Sequence, residues 1–281
     1  MKNKYFIYSL LLLVGIASYI WARVYYQSDA AQTGVKIDFL DVGQGDAALI
    51  ELGNNEQVLI DGGPDENRIV QRLGENMPPT DRQIEHMVLT HPHIDHLKGL
   101  IAVAQRYQIG EVLAEQDDYP GDNFQKWRDI LKQNNVPYRI VRQGDRFAWG
   151  DISAQVLWPN SIGENVNDNS IVLELKYGQA EVILTGDAEK NSLAAICQKY
   201  GDSLKSSIVK VPHHGSQNGI NECFWQKASP EYAIISVGRD NKYGHPHQAL
   251  VDFLAKYAKH ILRTDKEGTI KCWLGEKVEC G

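Results

Sequence analysis

Residues 89–96 read Leu89-Thr90-His91-Pro92-His93-Ile94-Asp95-His96, four potential metal ligands packed behind an apolar run that ends at Leu89. The run from His86 to Leu89 has the character of a strand. In extended backbone His91 and His93 project to one side, because side chains alternate with period two, so both imidazoles can reach a single cation. Asp95 and His96 open the helix whose periodicity continues from Leu97 to Tyr107, and can address a second cation close by. Two adjacent dications activate a water and clamp a leaving oxygen, the chemistry of phosphoester and related hydrolysis. An isolated histidine is ordinarily a hydrogen-bonded core or surface imidazole. Clustering argues otherwise here, since seven of the nine histidines fall in three short segments: His91, His93 and His96; His213 and His214; His245 and His247. His86 and His260 stand alone and take the ordinary reading.

Upstream of the cluster, Lys36 to Leu40, Ala47 to Leu52 and Gln57 to Ile60 read as short strands of a meander, separated by the glycine-rich turns DVGQGD and LGNNE. A helix is predicted from Pro64 to Leu73. Downstream, Glu111 to Ala114 reads as a strand and Phe124 to Gln133 as a helix. Ile152 to Trp158, Ser170 to Tyr177 and Val182 to Thr185 read as hairpin strands. A helix over Ala188 to Tyr200, strands over Ser207 to Val211 and Ala233 to Val237, and a helix from His247 to Tyr257 complete the series. The chain thus shows two similar halves, each mixing hairpins with helices. That order fits an α/β (α+β) fold of four layers, αββα, better than a doubly wound sheet whose strands would alternate singly with helices.

A chain of 281 residues is long enough for one large core. Asp plus Glu outnumber Lys plus Arg by 36 to 29, which excludes a global cationic field holding a polyanion by counterion release. The uncharged stretch Tyr5 to Trp21 follows Lys2 and Lys4 and carries aromatic residues at both ends. It predicts a membrane anchor or signal segment over residues 1–22, then a linker over 23–34 and a single domain over 35–281. The alternative to a retained anchor is cleavage near Ser28-Asp29-Ala30, giving a secreted protein. The flanking lysines orient a single-pass anchor with the body outside the cytoplasm. Cys197, Cys223, Cys272 and Cys280 are an even set, open to pairing in that compartment or to service as small buried hydrophobes. Their spacing assigns no pair.

The histidine cluster resembles the HxHxDH signature of the metallo-β-lactamase superfamily. Asp61-Gly62-Gly63 and Thr185-Gly186-Asp187 resemble its early acidic motif and the motif of its metal-bridging aspartate. A closer likeness is to the hydrolase-like domain of the DNA-uptake channel protein ComEC. It is carried in order by Phe39 to Asp46, Leu89 to His96, Asn167 to Leu173, Leu184 to Asp187, Val211 to Ser216 and Tyr243 to His247. The resemblance implies the four-layer αββα metallo-β-lactamase sandwich over 35–281 and two divalent metal ions. It puts His91 and His93 on the first metal, Asp95 and His96 on the second, Asp187 between them and His214 completing the second. His213 is expected to line the pocket. The glycine-histidine motif that gives many relatives a third histidine is missing, and Asp168 stands in its place. That extra oxygen makes manganese a credible alternative to zinc.

Asp61 is expected behind a ligand, fixing an imidazole's tautomer. Asp46 either does the same or stabilises a tight turn. Ser216 either caps a helix or touches substrate, capping being favoured. His245 and His247 are expected either to donate to a phosphate oxygen or to protonate a leaving group, with Asp95 accepting a proton. The implied activity is hydrolysis of a phosphodiester, with single-stranded DNA as a candidate substrate and Lys205, Lys210, Arg239 and Lys242 as candidate groove walls. Two rival readings stand beside it. One is a non-catalytic, metal-stabilised DNA-binding module of an uptake system. The other is a hydrolase of cell-surface phosphocholine, lactone or thioester substrates, on the same scaffold. Protein partners are not legible in the sequence.

Overall fold

The computed structural model describes residues 2–30 and 34–281 and divides them into two units, Met1–Gly34 and Val35–Gly281. In the first unit a single 29-residue helix, α1 (Lys2–Ala30), carries the apolar stretch, with Leu10, Leu11, Leu12 and Leu13 exposed. The helix runs through much of the expected linker, because no proline or glycine stops it between Trp21 and Ala30. The rest of that linker, residues 31–33, lies outside the described residues. Among the described residues no helix is long and apolar enough to cross a membrane. The anchor or signal segment expected over residues 1–22 falls on α1.

The second unit opens with β1 (Val35–Phe39), β2 (Ala48–Glu51), β3 (Gln57–Ile60), α2 (Glu66–Asn76), β4 (Gln83–Leu89), α3 (Ile94–Arg106), β5 (Gln108–Ala114), α4 (Asp122–Gln133) and β6 (Tyr138–Ile140). It continues with β7 (Arg146–Trp149), β8 (Ile152–Trp158), β9 (Val172–Tyr177), β10 (Ala180–Leu184), α5 (Lys190–Tyr200), β11 (Ile208–Lys210), α6 (Glu222–Ala228), β12 (Tyr232–Ile235), α7 (Gln248–Leu254) and β13 (His260–Arg263). The short α8 (Thr264–Glu267) and the hairpin β14 (Ile270–Leu274) and β15 (Val278–Cys280) end it. One sheet has the order β15-β14-β1-β2-β3-β4-β5-β6 and the other β13-β12-β11-β10-β9-β8-β7. The C-terminal hairpin therefore returns to the first sheet, β14 pairing antiparallel to β1 with Leu274 opposite Val35.

Alternation along the strands builds three apolar layers. Ile37, Phe39, Ile50 and Val88 of the first sheet meet Ala154, Val156, Val182, Leu184 and Ile234 of the second in the central layer. Leu49, Leu59, Met87 and Val112 point to the opposite face and are covered by α2, α3 and α4 through Ile69, Leu73, Leu100, Val103 and Trp127. Ile183, Val209, Ala233 and Ile235 are covered by α5, α6 and α7 through Leu193, Ile196, Trp225 and Leu250. The result is the expected four layers, αββα.

All four cysteines are paired, which spacing alone did not assign. Cys197 on α5 bonds Cys223 on α6, and Cys272 bonds Cys280 across the β14–β15 ladder.

Candidate metal centre

The strands that bear the sequence motifs run parallel within each sheet. β3, β4 and β5 are mutually parallel, as are β10, β11, β12 and β13. Their C-terminal ends carry Asp61, Thr90 to His93, Thr185 to Asp187 and Val211 to His214, and a hydrogen bond from Ile171 N to Thr90 O at 2.9 Å ties the two halves together. Close packing fixes the helix that supplies Asp95 and His96: a Cβ on Gly99 of α3 would sit 1.9 Å from Gly62 O. Glycine there lets α3 approach the Asp61 loop backbone to backbone.

The ligand atoms converge. One oxygen or nitrogen each from Asp95, His96, Asp187 and His214 lies within 4.8 Å of the others. His96 Nε2 is 3.2 Å from Asp187 Oδ1, and His214 Nε2 is 3.3 Å from Asp95 Oδ2 and 3.6 Å from Asp187 Oδ2. His91 Nε2 and His213 Nε2 lie 3.9 and 3.8 Å from the same Asp187 Oδ2, and His93 Nδ1 is 3.1 Å from His91 Nε2. Asp187 thus faces four imidazoles at once, those of His91, His96, His213 and His214. His96 Nε2, His214 Nε2 and Asp187 Oδ1 are buried without a hydrogen-bond partner among the described residues. Buried polar atoms of this kind are costly unless something else satisfies them, and this donor set fits divalent cations.

A second tier holds these ligands. Asp61 accepts from Thr90 N at 2.8 Å and Thr90 Oγ1 at 2.7 Å, and its Oδ2 meets His96 Nδ1 at 2.8 Å, leaving His96 Nε2 to face the centre. His214 Nδ1 lies 3.1 Å from both Ser236 O and Asp46 Oδ1. Asp46 is in turn ion-paired to Lys210, whose Nζ also donates to Gly186 O at 2.9 Å. His213 and His214 both adopt left-handed backbone, φ 50° and 52°, and Asp61 does so at 59°. Non-glycine residues pay roughly 1–2 kcal/mol for this conformation, a cost tolerated mainly where geometry serves a site.

Electrostatics follow from the crowding. Burial and the charge of His96 push His91 well below the ordinary imidazole value. Burial also acts to lower His214, but Asp187 and Asp46 outweigh it and push it up to about 10. Asp187 is held well below the carboxylate range, the charges of His214 and His96 overcoming its burial. In His245, burial with His213 and His214 nearby lowers the imidazole to about 4.

Not every expected residue reaches this cluster. The Asp168 carboxylate is turned to the N-terminus of α5, where Oδ1 accepts from Glu189 N at 3.1 Å and from Ser192 Oγ at 2.8 Å, so it caps a helix instead of supplying an oxygen ligand. Its neighbour Asn167 lines the cavity of about 290 Å³ over the cluster, with His93, Asp95, Asp187, His213, His214, Tyr243 and His245. His247 is not among the lining residues; its Nδ1 accepts from Gln217 N at 3.0 Å. Ser216 caps the following turn, accepting from Asn218 N at 3.2 Å. Lys210 is only 3% exposed and lies beneath the site, so it is no groove wall, and Lys205 lies beyond the opposite end of β11. His86 pairs with Glu111 and stacks on Trp149, and His260 stacks on Tyr232. Sequence reasoning missed the buried roles of Thr90 and Lys210 and the rim residues Gln44 and Tyr243; a lysine inside the apolar run Ile208-Val209-Lys210-Val211 was the readable sign.

The metallo-beta-lactamase superfamily profile matches residues 40–239. The chain is 28% identical over 253 residues to ComE operon protein 3 of Bacillus subtilis (strain 168), covering 84% of this chain and 32% of that protein. It is 29% identical over 273 residues to competence protein ComA of Neisseria gonorrhoeae, covering 95% and 36%. The chain therefore spans about a third of the length of these curated relatives. The metallo-beta-lactamase fold protein YhfI of Bacillus subtilis superposes with a TM-score of 0.59 at 10% identity, over 88% of this chain and 100% of that one, a likeness of fold alone. With its two-sheet architecture and its ordered motifs, the chain belongs to the metallo-β-lactamase superfamily.

Proposed function

We propose that this protein is a dinuclear, metal-dependent phosphodiesterase acting on DNA outside the cytoplasm. The observation that carries the reading is the convergence of four imidazoles, His91, His96, His213 and His214, on the one carboxylate of Asp187. His91, His93 and His213 would hold one metal and Asp95, His96 and His214 the other, with Asp187 shared. Five imidazoles against two carboxylates suit zinc, with manganese the alternative; the turning away of Asp168 removes the oxygen that favoured manganese. When bound, such a pair supplies Lewis acidity and a water of lowered pKa.

The chain's own residues do the remainder. Asp61 and Ser236 O orient His96 and His214 by their Nδ1 atoms, which fixes the tautomers. Asp95, on the first turn of α3 and held ionised by His214 and His96 despite its burial, can accept a proton at Oδ2. His245, neutral at pH 7, is suited to donate a hydrogen bond to a phosphoryl oxygen, not to protonate a leaving group. His247 contributes by fixing the turn before α7. Support for DNA as substrate comes from the competence-protein relatives. Support for placement outside the cytoplasm comes from the two disulfides, which reducing compartments disfavour.

The test is turnover of bis-p-nitrophenyl phosphate and of labelled single-stranded DNA by zinc- and manganese-loaded protein, alongside Asp95→Ala and His93→Ala. Cleavage above both variants, with two metal equivalents by inductively coupled plasma analysis, is expected. Retained DNA binding without cleavage would instead favour the non-catalytic module. Alkylation of protein taken from its native compartment checks placement: no thiol should react before reduction and four after it.

A further inference from the structure

A second cavity, of about 540 Å³, opens beside the metal centre and is lined by Gly43, Gln44, Pro64, Arg68, Gly238 and Arg239, among others. Gln44 lines both cavities, so the two are neighbours across one side chain. Gln44 Oε1 accepts from Gly238 N at 3.1 Å, while its Nε2 is buried without a hydrogen-bond partner among the described residues. The glycines bring the walls together. A Cβ on Gly43, at φ 87°, would lie 2.8 Å from the Arg68 guanidinium, and one on Gly238 would lie 2.6 Å from Gln44 N. Arg68 therefore sits directly over the peptide that leads into the metal cavity, and Arg239 directly follows the glycine that packs on it.

Of the three carboxylates that line this groove, two are paired with arginines that do not line it and the third caps a helix. Asp41 accepts from Arg72 at 3.1 Å, with Arg68 Nη1 more distant at 4.0 Å. Asp265 takes a two-pronged contact from Arg263, at 2.9 and 2.6 Å. Asp65 caps α2, accepting from Asn67 N and Arg68 N, and these bonds lower its pKa. Arg239 donates to the carbonyl oxygen of Asp265, a neutral acceptor. Two guanidiniums are thus offered to solvent beside a hydrolytic centre in a chain that is acidic overall. Asn241 bonds Gly238 O and His245 O, tying the groove to the loop that places His245 and Tyr243 on the rim of the metal cavity.

We propose that this groove is a subsite for a second phosphate of the substrate, the one next to the bond being cut, held by Arg68 and Arg239. The assignment rests on the phosphodiesterase reading above and adds substrate length to it: a chain of linked phosphates is preferred over a lone diester. Guanidiniums bind phosphate with paired donors, and Gln44, which lines both cavities, has an unpartnered Nε2 donor beside them.

The test compares thymidylyl-thymidine with its 5′- and 3′-phosphorylated forms, on metal-loaded wild type, the double variant Arg68→Gln/Arg239→Gln, and Arg82→Gln. Arg82 lines a separate cavity at the N-terminal ends of β4 and β5 and serves as the control. Wild type should favour one phosphorylated form by about tenfold in kcat/KM, the scale of a charged hydrogen bond in an open groove. That ratio should fall towards one in the double variant and persist in Arg82→Gln. A wild type without preference, or a double variant that keeps it, overturns the subsite. Should wild type cut none of the three, the phosphodiesterase reading fails, and fluorescence anisotropy with labelled, phosphorylated dithymidylate decides the subsite alone. About tenfold weaker binding by the double variant upholds it, and equal binding overturns it.

Discussion

Lys210→Met should be among the most damaging single substitutions that touch no ligand atom. Lys210 is 3% exposed, and its ammonium serves Asp46 and Gly186 O. Removing it leaves Asp46, 6% exposed, as a buried carboxylate with His214 Nδ1 at 3.1 Å as its remaining strong partner. Breaking a buried pair from one side costs about 3–5 kcal/mol, and the retained imidazole contact argues for the lower end, about 3 kcal/mol. For a domain of this size that corresponds to a fall in melting temperature of roughly 6–12 °C. The double variant Lys210→Met/Asp46→Asn removes both charges and should recover at least about 1 kcal/mol relative to the sum of the single effects. Urea unfolding of metal-free protein, followed by tryptophan fluorescence, measures both quantities. An unchanged midpoint for Lys210→Met, or strict additivity in the double variant, would refute the view that this lysine is a buried counter-ion.

Asp61→Asn should weaken metal affinity by about 10–100-fold while leaving the fold intact, because it loosens the hydrogen bond that aims His96; competition with a chromophoric chelator reads this. Metal loading at pH 7 should release roughly two protons, one each from His96 and His214, since both imidazoles are held charged by the surrounding carboxylates. Calorimetry in buffers of different ionisation enthalpy counts them, and a value near zero would contradict it. Asp38 is fully buried, and burial raises its carboxyl to about 6 against the ordinary 3.8. The native state then holds an extra proton between those values, so stability should fall as pH rises from 3.8 to about 6, by up to about 3 kcal/mol. Asp38→Asn should abolish that slope and stabilise the protein at pH 7.5.

Strands such as β2 and β3, buried on both faces, were legible as short apolar runs bounded by glycine-rich turns, and α3 by its helical periodicity. Short or half-exposed strands were not: Tyr138–Ile140 and Val278–Cys280 have three residues each, and their identity comes from the neighbour they pair with. The histidine clusters were legible because their chemistry is local. Asp168 was misplaced because a carboxylate next to a metal motif and one at a helix N-terminus look alike in sequence; the bonds to Glu189 N and Ser192 Oγ distinguish them. Lys210 was read as surface because lysine usually is, whereas here a buried carboxylate neutralises it.

The pairing of β14 with β1 bears on how the protein comes into being. During synthesis β1 emerges early and β14 late, so one border of the first sheet waits, exposed, for most of the chain to be made. An open border of that kind templates association with other chains. Closing it is a long-range, slow step. The last hairpin therefore acts as a seal on the nascent molecule, and the Cys272–Cys280 bond holds the seal's own two strands together.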